Sequence, residues 1–158
     1  MQQKETQNTR DIADITGVPD AGRIIAIDPG TKRIGVAVCD EHRVVCRPLT
    51  VIQRSSWKKL LLQVKGVVAE YDAVALVVGL PYNFDGTESE MTTFARDLAR
   101  KFELSLDPPV FLQDERASTY EARGRLWKSG LEGKELRAVV DSEAATIILS
   151  DFLSRIRT

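Results

Sequence analysis

The segment IIAIDPGTKRIGVAV, residues 24–38, decides how the rest of the sequence is interpreted. Its first part, residues 24–27, is a short apolar run that ends at the acidic residue Asp28. A second apolar run, residues 34–39, follows after a short polar link, which is typical of two antiparallel strands joined by a turn. The segment therefore predicts a β-hairpin that opens a sheet and carries a carboxylate at the end of its first strand.

The apolar pattern after this hairpin predicts a mixed sheet with helices on both faces. A third β-branched run completes an antiparallel meander, after which helical and extended patterns alternate, as in α/β folds. Hydroxyl and glutamate residues in capping-box spacing mark two of the helix starts, at Thr87–Glu90 and at Ser118–Glu121. The predicted order is β-β-β-α-β-α-β-α-α, with strands near residues 24–27, 34–39, 44–51, 73–79 and 109–113 and a last helical region over residues 134–156.

Length and composition favour a single folded domain without a membrane span. The chain has 158 residues, of which 43% are hydrophobic and 28% charged, a composition that excludes disorder along the whole chain. Residues 1–22 are polar and non-periodic, which predicts a flexible N-terminal tail ahead of a domain at residues 23–158. Neither a secretory signal nor a run of about 18 apolar residues is present, so we expect a cytoplasmic protein.

The cysteine content argues against a zinc or disulfide framework, because the chain has two cysteines and one histidine. Cys39 and Cys46 flank a polar turn. They would face each other across the hairpin if the loop has four residues, and would be diagonal neighbours if it has two. Whether the pair ever forms a disulfide stays open at this level.

The overall charge hides a strong local excess of basic residues. The chain has 22 Lys and Arg against 23 Asp and Glu, a net charge of -1, which taken alone argues against a nucleic-acid partner. Residues 31–65 carry a clear basic excess, however, and this favours a local surface that contacts phosphates over scattered solvated lysines. The basic residues in this segment are Lys32, Arg33, Arg43, Arg47, Arg54, Lys58, Lys59 and Lys65.

Acidic residues interrupt the apolar pattern at three points that the predicted fold would bring together. Asp28 ends the first strand, Asp114 and Glu115 end the fifth, and Asp141 shares a helix face with apolar residues. A buried acid costs several kcal/mol unless it is paired or binds metal, although each of these acids could also serve a turn, a cap or a local ion pair. In parallel strands Asp28 and Glu115 would emerge at one carboxyl edge, where open α/β sheets bind ligands.

A cluster of three carboxylates at this edge predicts binding of Mg²⁺ or Mn²⁺. Oxygen ligands without histidine or cysteine select such hard cations, and two ions roughly 3.5–4 Å apart would suit hydrolysis of a phosphodiester. Neighbouring residues could contact the substrate: Thr31, Lys32 and Arg33 directly follow the first acid, and Arg116 follows Glu115. In the loop after the fourth strand, Tyr82 and Phe84 could stack on bases. The alternative is that these rings pack under the loop, and the sequence favours this alternative more for Phe84 than for Tyr82.

Four motifs, in order along the chain, resemble the YqgF/RuvX family, whose members are described as pre-16S rRNA nucleases and as Holliday-junction-resolvase-like proteins. They cover the chain apart from its tail. The loop sequence Tyr82-Asn83-Phe84 departs from the family, in which a more aliphatic stretch is usual. The motifs are DPGTKRIGVAV at residues 28–38, VVGLP at 77–81 with Asp85-Gly86, DER at 114–116 with Ser118-Thr119, and Asp141 with Ala144-Ala145.

The resemblance implies an RNase H-like fold and a metal-dependent nuclease that matures the 5′ end of 16S rRNA during ribosome biogenesis. It places the catalytic, metal-binding carboxylates at Asp28, Glu115 and Asp141. It also implies a cytoplasmic location and nucleic acid as the partner, with precursor rRNA favoured over branched DNA. Contact with the ribosome and a homodimer are left open.

Three other functions remain as alternatives. A Holliday-junction resolvase would use the same carboxylates but would have to act as a dimer, because it cuts two strands symmetrically. An RNA- or ribosome-binding module could have kept the fold and lost the chemistry. The Asp28-Pro29-Gly30-Thr31 motif also resembles the phosphate motif of ATP-binding sugar kinases and actin-like proteins, which close two such domains around the nucleotide.

Overall fold

A mixed β-sheet forms the centre of the computed structural model, which describes residues 10–30, 32–115 and 133–157, with backbone alone for residues 133–142. Three helices accompany the six strands within these described ranges. The elements in chain order are β1 (Ile24–Pro29), β2 (Arg33–Cys39), β3 (Cys46–Pro48), β4 (Ile52–Gln53), α1 (Trp57–Tyr71), β5 (Ala75–Leu80), α2 (Glu90–Ser105), β6 (Val110–Asp114) and α3 (Gly133–Ile156).

The strand order places the end of β1 at the middle of the sheet. The order is β3-β2-β1-β5-β6, with β4 also paired to β2. β1 and β2 are antiparallel, whereas β1, β5 and β6 run parallel, so these three strands end at the same edge. The predicted mixed sheet is confirmed. We call the edge where β1, β5 and β6 end the carboxyl edge.

The third predicted strand, residues 44–51, is wrong in its extent. The chain instead forms β3 and β4, which both pair with β2 but in registers that differ by one residue. One extra residue between Pro48 and Ile52 therefore makes a bulge on the strand. Pro48, which ends β3, suits a position next to a bulge, because proline has no N–H group to donate to the ladder.

The helices cover both faces of the sheet, as predicted. On the first face, Leu60 and Val64 of α1 and Phe102 of α2 join a core with alternate residues of the strands. On the second face, α3 packs against the other residues of the same strands, with Ile148 and Phe152 fully buried. Within the described ranges, no helix has the length and apolar character needed to cross a membrane.

The described part of the N-terminal segment, residues 10–22, contacts the domain. Ile12 packs against the first core, and Ile15 and Val18 pack against the second. The Arg155 guanidinium near the end of α3 donates a hydrogen bond of 2.6 Å to the Ile12 carbonyl. Residues 10–22 therefore lie against the folded domain, and the division at residue 22 into tail and domain stays a prediction.

Of the two arrangements predicted for the cysteines, the structure has the one in which they face each other across the hairpin. Cys39 and Cys46 lie opposite each other in the register of β2 and β3, and both are free thiols. Asp40 and Val45, the next pair along the hairpin, are hydrogen-bonded, because the Asp40 N–H donates to the Val45 carbonyl. Hydrogen-bonded and non-hydrogen-bonded pairs alternate in an antiparallel ladder, so the two cysteines form a non-hydrogen-bonded pair.

The predicted capping box at Thr87 and Glu90 is wrong, because α2 begins two residues later. Ser89 is the N-cap: its hydroxyl accepts a hydrogen bond from the Thr92 N–H, and the Thr92 hydroxyl accepts one from the Ser89 N–H. Thr87 instead bonds to Asp85 within the preceding loop. The usual pattern requires Glu or Gln three residues after the cap, and here a threonine performs that role. The predicted cap at Ser118 and Glu121 lies outside the described residues.

Thr92 fixes both the start of α2 and the loop before it, because its buried hydroxyl also donates to the Pro81 carbonyl. We expect Thr92→Val, which keeps the shape and removes the hydroxyl, to lower the free energy of unfolding by about 1–3 kcal/mol. Urea unfolding measures this change. The matched variant Thr93→Val, at an exposed neighbour on the same helical turn, should cost clearly less; equal losses would contradict the role assigned to Thr92.

Candidate active site

The first acid of the site, Asp28, stands near the end of β1 in the middle of the sheet. It lies opposite Gly35 of β2, and the preceding residue Ile27 pairs with Val78 of β5. The side chain is half-buried, although the strand before it is fully buried. Asp28 thus places a carboxylate where the core opens at the carboxyl edge.

The second acid, Glu115, follows β6 directly and turns back over β5. Its N–H donates to the Leu80 carbonyl at 3.1 Å, which continues the parallel ladder by one residue. Its carboxylate then lies above Gly79: a Cβ atom at residue 79 would be 2.5 Å from Glu115 Oε2 and 2.7 Å from the Ile148 Cδ1 atom. Only glycine at residue 79 leaves room for the Glu115 carboxylate between β5 and α3.

This position brings the carboxyl groups of Asp28 and Glu115 within hydrogen-bonding distance of each other. Burial raises the pKa of Glu115 well above its usual range, and the Asp28 charge, the hydrogen bond with Asp28 and the Asp114 charge raise it further. Within the described part of the chain, Glu115 Oε2 is buried and has no hydrogen-bond partner. A buried oxygen without a donor, beside a second carboxylate, suits a cation.

The structure places the other predicted site residues only in part. Asp141 belongs to α3 and precedes Ile148 by seven residues, or about two helical turns. The Ile148 side chain lies against Gly79. The side chain of Asp141 lies outside what the structure describes. Thr31 and Arg116 are outside the described residues. Among the side chains that are described, no group of three His, Cys, Asp or Glu is arranged to hold a metal ion.

Several of the predicted basic residues surround the carboxyl edge. Lys32 is exposed directly after the first-strand turn, and its carbonyl accepts a 2.9 Å hydrogen bond from the Arg54 N–H, while Arg33 is half-buried at the start of β2. Arg54 is exposed, with its guanidinium 4.0 Å from the centroid of the Phe94 ring. Exposed Lys58 lies near the start of α1. These groups supply positive charge on the β2 side of the site.

Two other basic residues of the segment, Arg43 and Arg47, belong to other parts of the fold. The Arg43 side chain donates to the Gly22 carbonyl at 2.9 Å and to the Pro19 carbonyl at 2.6 Å, at the far end of the hairpin. The Arg47 guanidinium lies 5.4 Å from the Tyr71 ring centroid. The basic surface expected over residues 31–65 is therefore divided, with one part at the carboxyl edge and one part away from it.

The two aromatic residues of the loop after β5 have opposite surroundings. Tyr82 is half-buried against the first core, and its hydroxyl accepts a 2.8 Å hydrogen bond from Arg96. Phe84 is 85% exposed. Tyr82 is therefore the ring that packs against the domain, whereas the sequence favoured such packing more for Phe84.

Comparison with known families decides the class to which this arrangement belongs. A family model described as "RuvX: Holliday junction resolvase" matches residues 22–155, which include Asp28, Glu115 and Asp141. The chain belongs to the RuvX family. The prediction made from the four sequence motifs is confirmed.

Relatives of this RuvX-family chain carry a nuclease name. A protein of Anaeromyxobacter dehalogenans named "Putative pre-16S rRNA nuclease" is 41% identical over 133 residues, which cover 84% of this chain and 97% of that protein. Both names denote enzymes that hydrolyse phosphodiester bonds, so the predicted class of enzyme is confirmed for the family.

Solved structures confirm the RuvC-like variant of the RNase H-like fold. The RuvC protein of Thermus thermophilus aligns with a TM-score of 0.52 at 16% identity, covering 86% of this chain and 97% of its own. The Fowlpox virus resolvase, solved with Holliday junction DNA, aligns with a TM-score of 0.53 at 10% identity, covering 86% and 99%. At these identities the likeness concerns the fold alone.

Gly79 is the site residue that sequence reasoning did not identify as functional. The signal was present, because a glycine inside the buried strand ALVVGL weakens the strand and often marks a close approach of another group. Only the folded chain shows that the approaching group is the carboxylate of Glu115, 36 residues further along.

The raised pKa of Glu115 predicts how stability depends on pH in metal-free protein. The folded state keeps this proton to a higher pH than the unfolded chain, so the free energy of unfolding should fall as the pH rises above the ordinary value of 4.5. We expect Glu115→Gln to reduce this fall and to be more stable than the unsubstituted protein at neutral pH.

Urea unfolding in EDTA at about pH 5 and about pH 8 measures the effect. The control Glu70→Gln changes an exposed glutamate of α1 and should retain the full pH dependence. An undiminished fall in Glu115→Gln would show that the Glu115 carboxyl is not the responsible group.

Proposed function

We propose that this RuvX-family protein is a divalent-metal-dependent endonuclease that processes the 5′ end of precursor 16S rRNA in the cytoplasm. The observation that carries the proposal is the contact between the Asp28 and Glu115 carboxyl groups, with one buried Glu115 oxygen left without a donor among the described residues. The proposed substrate is taken from the name of the relatives. The relative from Anaeromyxobacter dehalogenans, for example, is similar over 84% of this chain.

The donor set fits Mg²⁺ or Mn²⁺, in one or two ions. Asp28 and Glu115 supply carboxylate oxygens, and Asp141, on the helix that packs beside them, is the proposed third ligand. A bound divalent ion supplies Lewis-acid polarisation of a phosphoryl oxygen and a lowered pKa for water. Glu115 has to lose its proton to act as a ligand, so metal affinity should rise with pH.

The other residues of the site would bind and orient the substrate. Lys32 and Arg33 lie immediately beside the carboxyl edge, where their charges would hold phosphates next to the carboxylates. Thr31 stands three residues after Asp28 and Arg116 directly follows Glu115, and both are proposed to contact the substrate backbone. Tyr82, predicted as a substrate contact, is proposed to act through the loop that it anchors.

Resolution of branched DNA is the second candidate, because the solved structures that share the fold include Holliday junction resolvases. Such an enzyme would need two copies of this chain to cut two strands symmetrically. A module that binds RNA or the ribosome without cutting is the third, and all three acids would then be dispensable for its activity.

Asp28→Asn should abolish metal-dependent cleavage and leave the fold intact, because it removes a ligand charge while keeping the shape of the side chain. The measurement incubates both proteins with precursor 16S rRNA and with a four-way DNA junction, in Mg²⁺ and in Mn²⁺. Cleavage of the rRNA alone supports the main proposal, and cleavage of the junction alone supports the resolvase. Equal cleavage by the variant would contradict the role of Asp28.

The divided basic surface predicts different salt dependences for two lysines of α1. Lys58, near the carboxyl edge, should contact phosphate, so Lys58→Ala should weaken RNA binding and reduce the slope of log affinity against log salt by roughly 0.7–0.9. Lys65, which lies two helical turns further along and lines a groove with Asp72 and Pro108, serves as the control. Equal slopes for Lys58→Ala and Lys65→Ala would contradict the division.

A further inference from the structure

An exposed aromatic ring stands on the loop that connects β5 to α2. Phe84 is 85% exposed, the largest exposed fraction among the large hydrophobic side chains described, and it belongs to neither core cluster. A ring of this size would bury much apolar surface if a partner covered it. Among the described residues, this aromatic surface therefore has no packing function.

Hydrogen bonds within the loop hold the backbone on both sides of this ring. The Asn83 N–H donates to the Thr87 carbonyl and the Asn83 amide donates to the Thr87 hydroxyl, both at 2.9 Å, which closes the loop behind the tip. The Asp85 carboxylate accepts hydrogen bonds from the Thr87 hydroxyl and N–H, and Gly86 takes the positive φ of 86° that the turn requires. A tip bonded in this way loses little conformational entropy when a ligand binds.

The base of the loop is anchored to the domain by a second set of bonds. Tyr82 and Glu88 form an isolated β-bridge, and Arg96 of α2 donates to both of their side chains, at 2.8 Å to Tyr82 and 2.6 Å to Glu88. The buried Thr92 hydroxyl donates to the Pro81 carbonyl. The loop is thus tied to α2 on one side and continues β5 on the other.

The loop leaves the sheet beside the candidate active site. Leu80, the last residue of β5, pairs with Asp114 and accepts the N–H of Glu115. Phe84 follows four residues later, so its Cα lies at most about 14 Å from that of Leu80, a distance that a few nucleotides span. A nucleic-acid strand bound at the carboxylates would therefore pass within reach of the ring.

The charges of the loop indicate which part of a nucleotide it meets. Asp85, Glu88 and Glu90 are exposed acids, and the nearby Arg96 is already bonded to Glu88. Acidic groups repel phosphates, whereas stacking on an aromatic ring needs no positive charge and is available to every base. Lys32, exposed after the turn that follows β1, suits the backbone instead.

We propose that Phe84 stacks on an unpaired base of the substrate next to the cleaved phosphate, and so selects single-stranded or splayed nucleotides. This inference rests on the proposed nuclease function, because the ring borders that site. Stacking platforms of this kind bind bases without reading sequence, so Phe84 would favour unpaired structure over a particular base.

The test measures binding of a single-stranded RNA that carries 2-aminopurine, in EDTA so that no cleavage occurs. We expect Phe84→Ala to raise Kd by about 5- to 150-fold and to remove the quenching that stacking causes. Phe84→Trp should restore both properties, whereas Phe84→Leu, which keeps apolar surface without a π system, should not. Leu104→Ala, at an exposed leucine near the far end of α2, is the matched control and should bind like the unsubstituted protein.

Unchanged Kd in Phe84→Ala, or full binding by Phe84→Leu, would overturn the stacking proposal. The same variants with a fully paired RNA duplex provide the second test: the Phe84→Ala defect should disappear, and an equal defect would also overturn it. Because binding is measured without cleavage, failure of the unsubstituted protein to cut any substrate would overturn the nuclease function separately. Since the ring is exposed, unfolding of Phe84→Ala should match that of the unsubstituted protein.

Discussion

The contact between the Asp28 and Glu115 carboxyl groups is the constraint around which the middle of the molecule is arranged. Two like charges in a half-buried position are unfavourable, and the structure reduces this cost by keeping a proton on Glu115, whose pKa is raised well above its usual range. Gly79 is required for the contact because any Cβ at that position would collide with the Glu115 carboxylate and with Ile148 of α3. Stability is thus given up at the place where a cation would bind.

The strand order explains why this contact forms at all. β1 lies between β2 and β5, and the parallel pairing of β1, β5 and β6 carries three strand ends to one edge. The turn after β1 adds Lys32 on one side of the acids, and the loop after β5 adds Phe84 near the other. The charged residue and the aromatic residue are therefore on separate loops at the same edge of the sheet. This arrangement suits a nucleic-acid strand, whose phosphate backbone and bases face in different directions.

The agreement between sequence and structure is best where burial is nearly complete. Strands β1, β2, β5 and β6 are predictable because their apolar runs are unbroken, and α1 because its apolar residues recur at helical spacing. The bulge between β3 and β4 and the cap at Ser89 are less predictable, because both depend on hydrogen bonds whose partners lie elsewhere in the chain. Tyr82 and Phe84 illustrate the same limit: of two rings in one loop, only Tyr82 packs against the first core and bonds to Arg96, fourteen residues further along.

The family, the mixed sheet and the candidate acids are readable from the sequence, because they follow from the order of short motifs and from acids that interrupt apolar runs. Three features appear only in the folded chain: Glu115 lies against Asp28 above Gly79, the basic segment is divided between two parts of the surface, and Phe84 is the exposed ring. The physical reason is that periodicity records which residues are buried, whereas contacts between residues far apart in the chain depend on strand order and register. Those are fixed only when the whole core has packed.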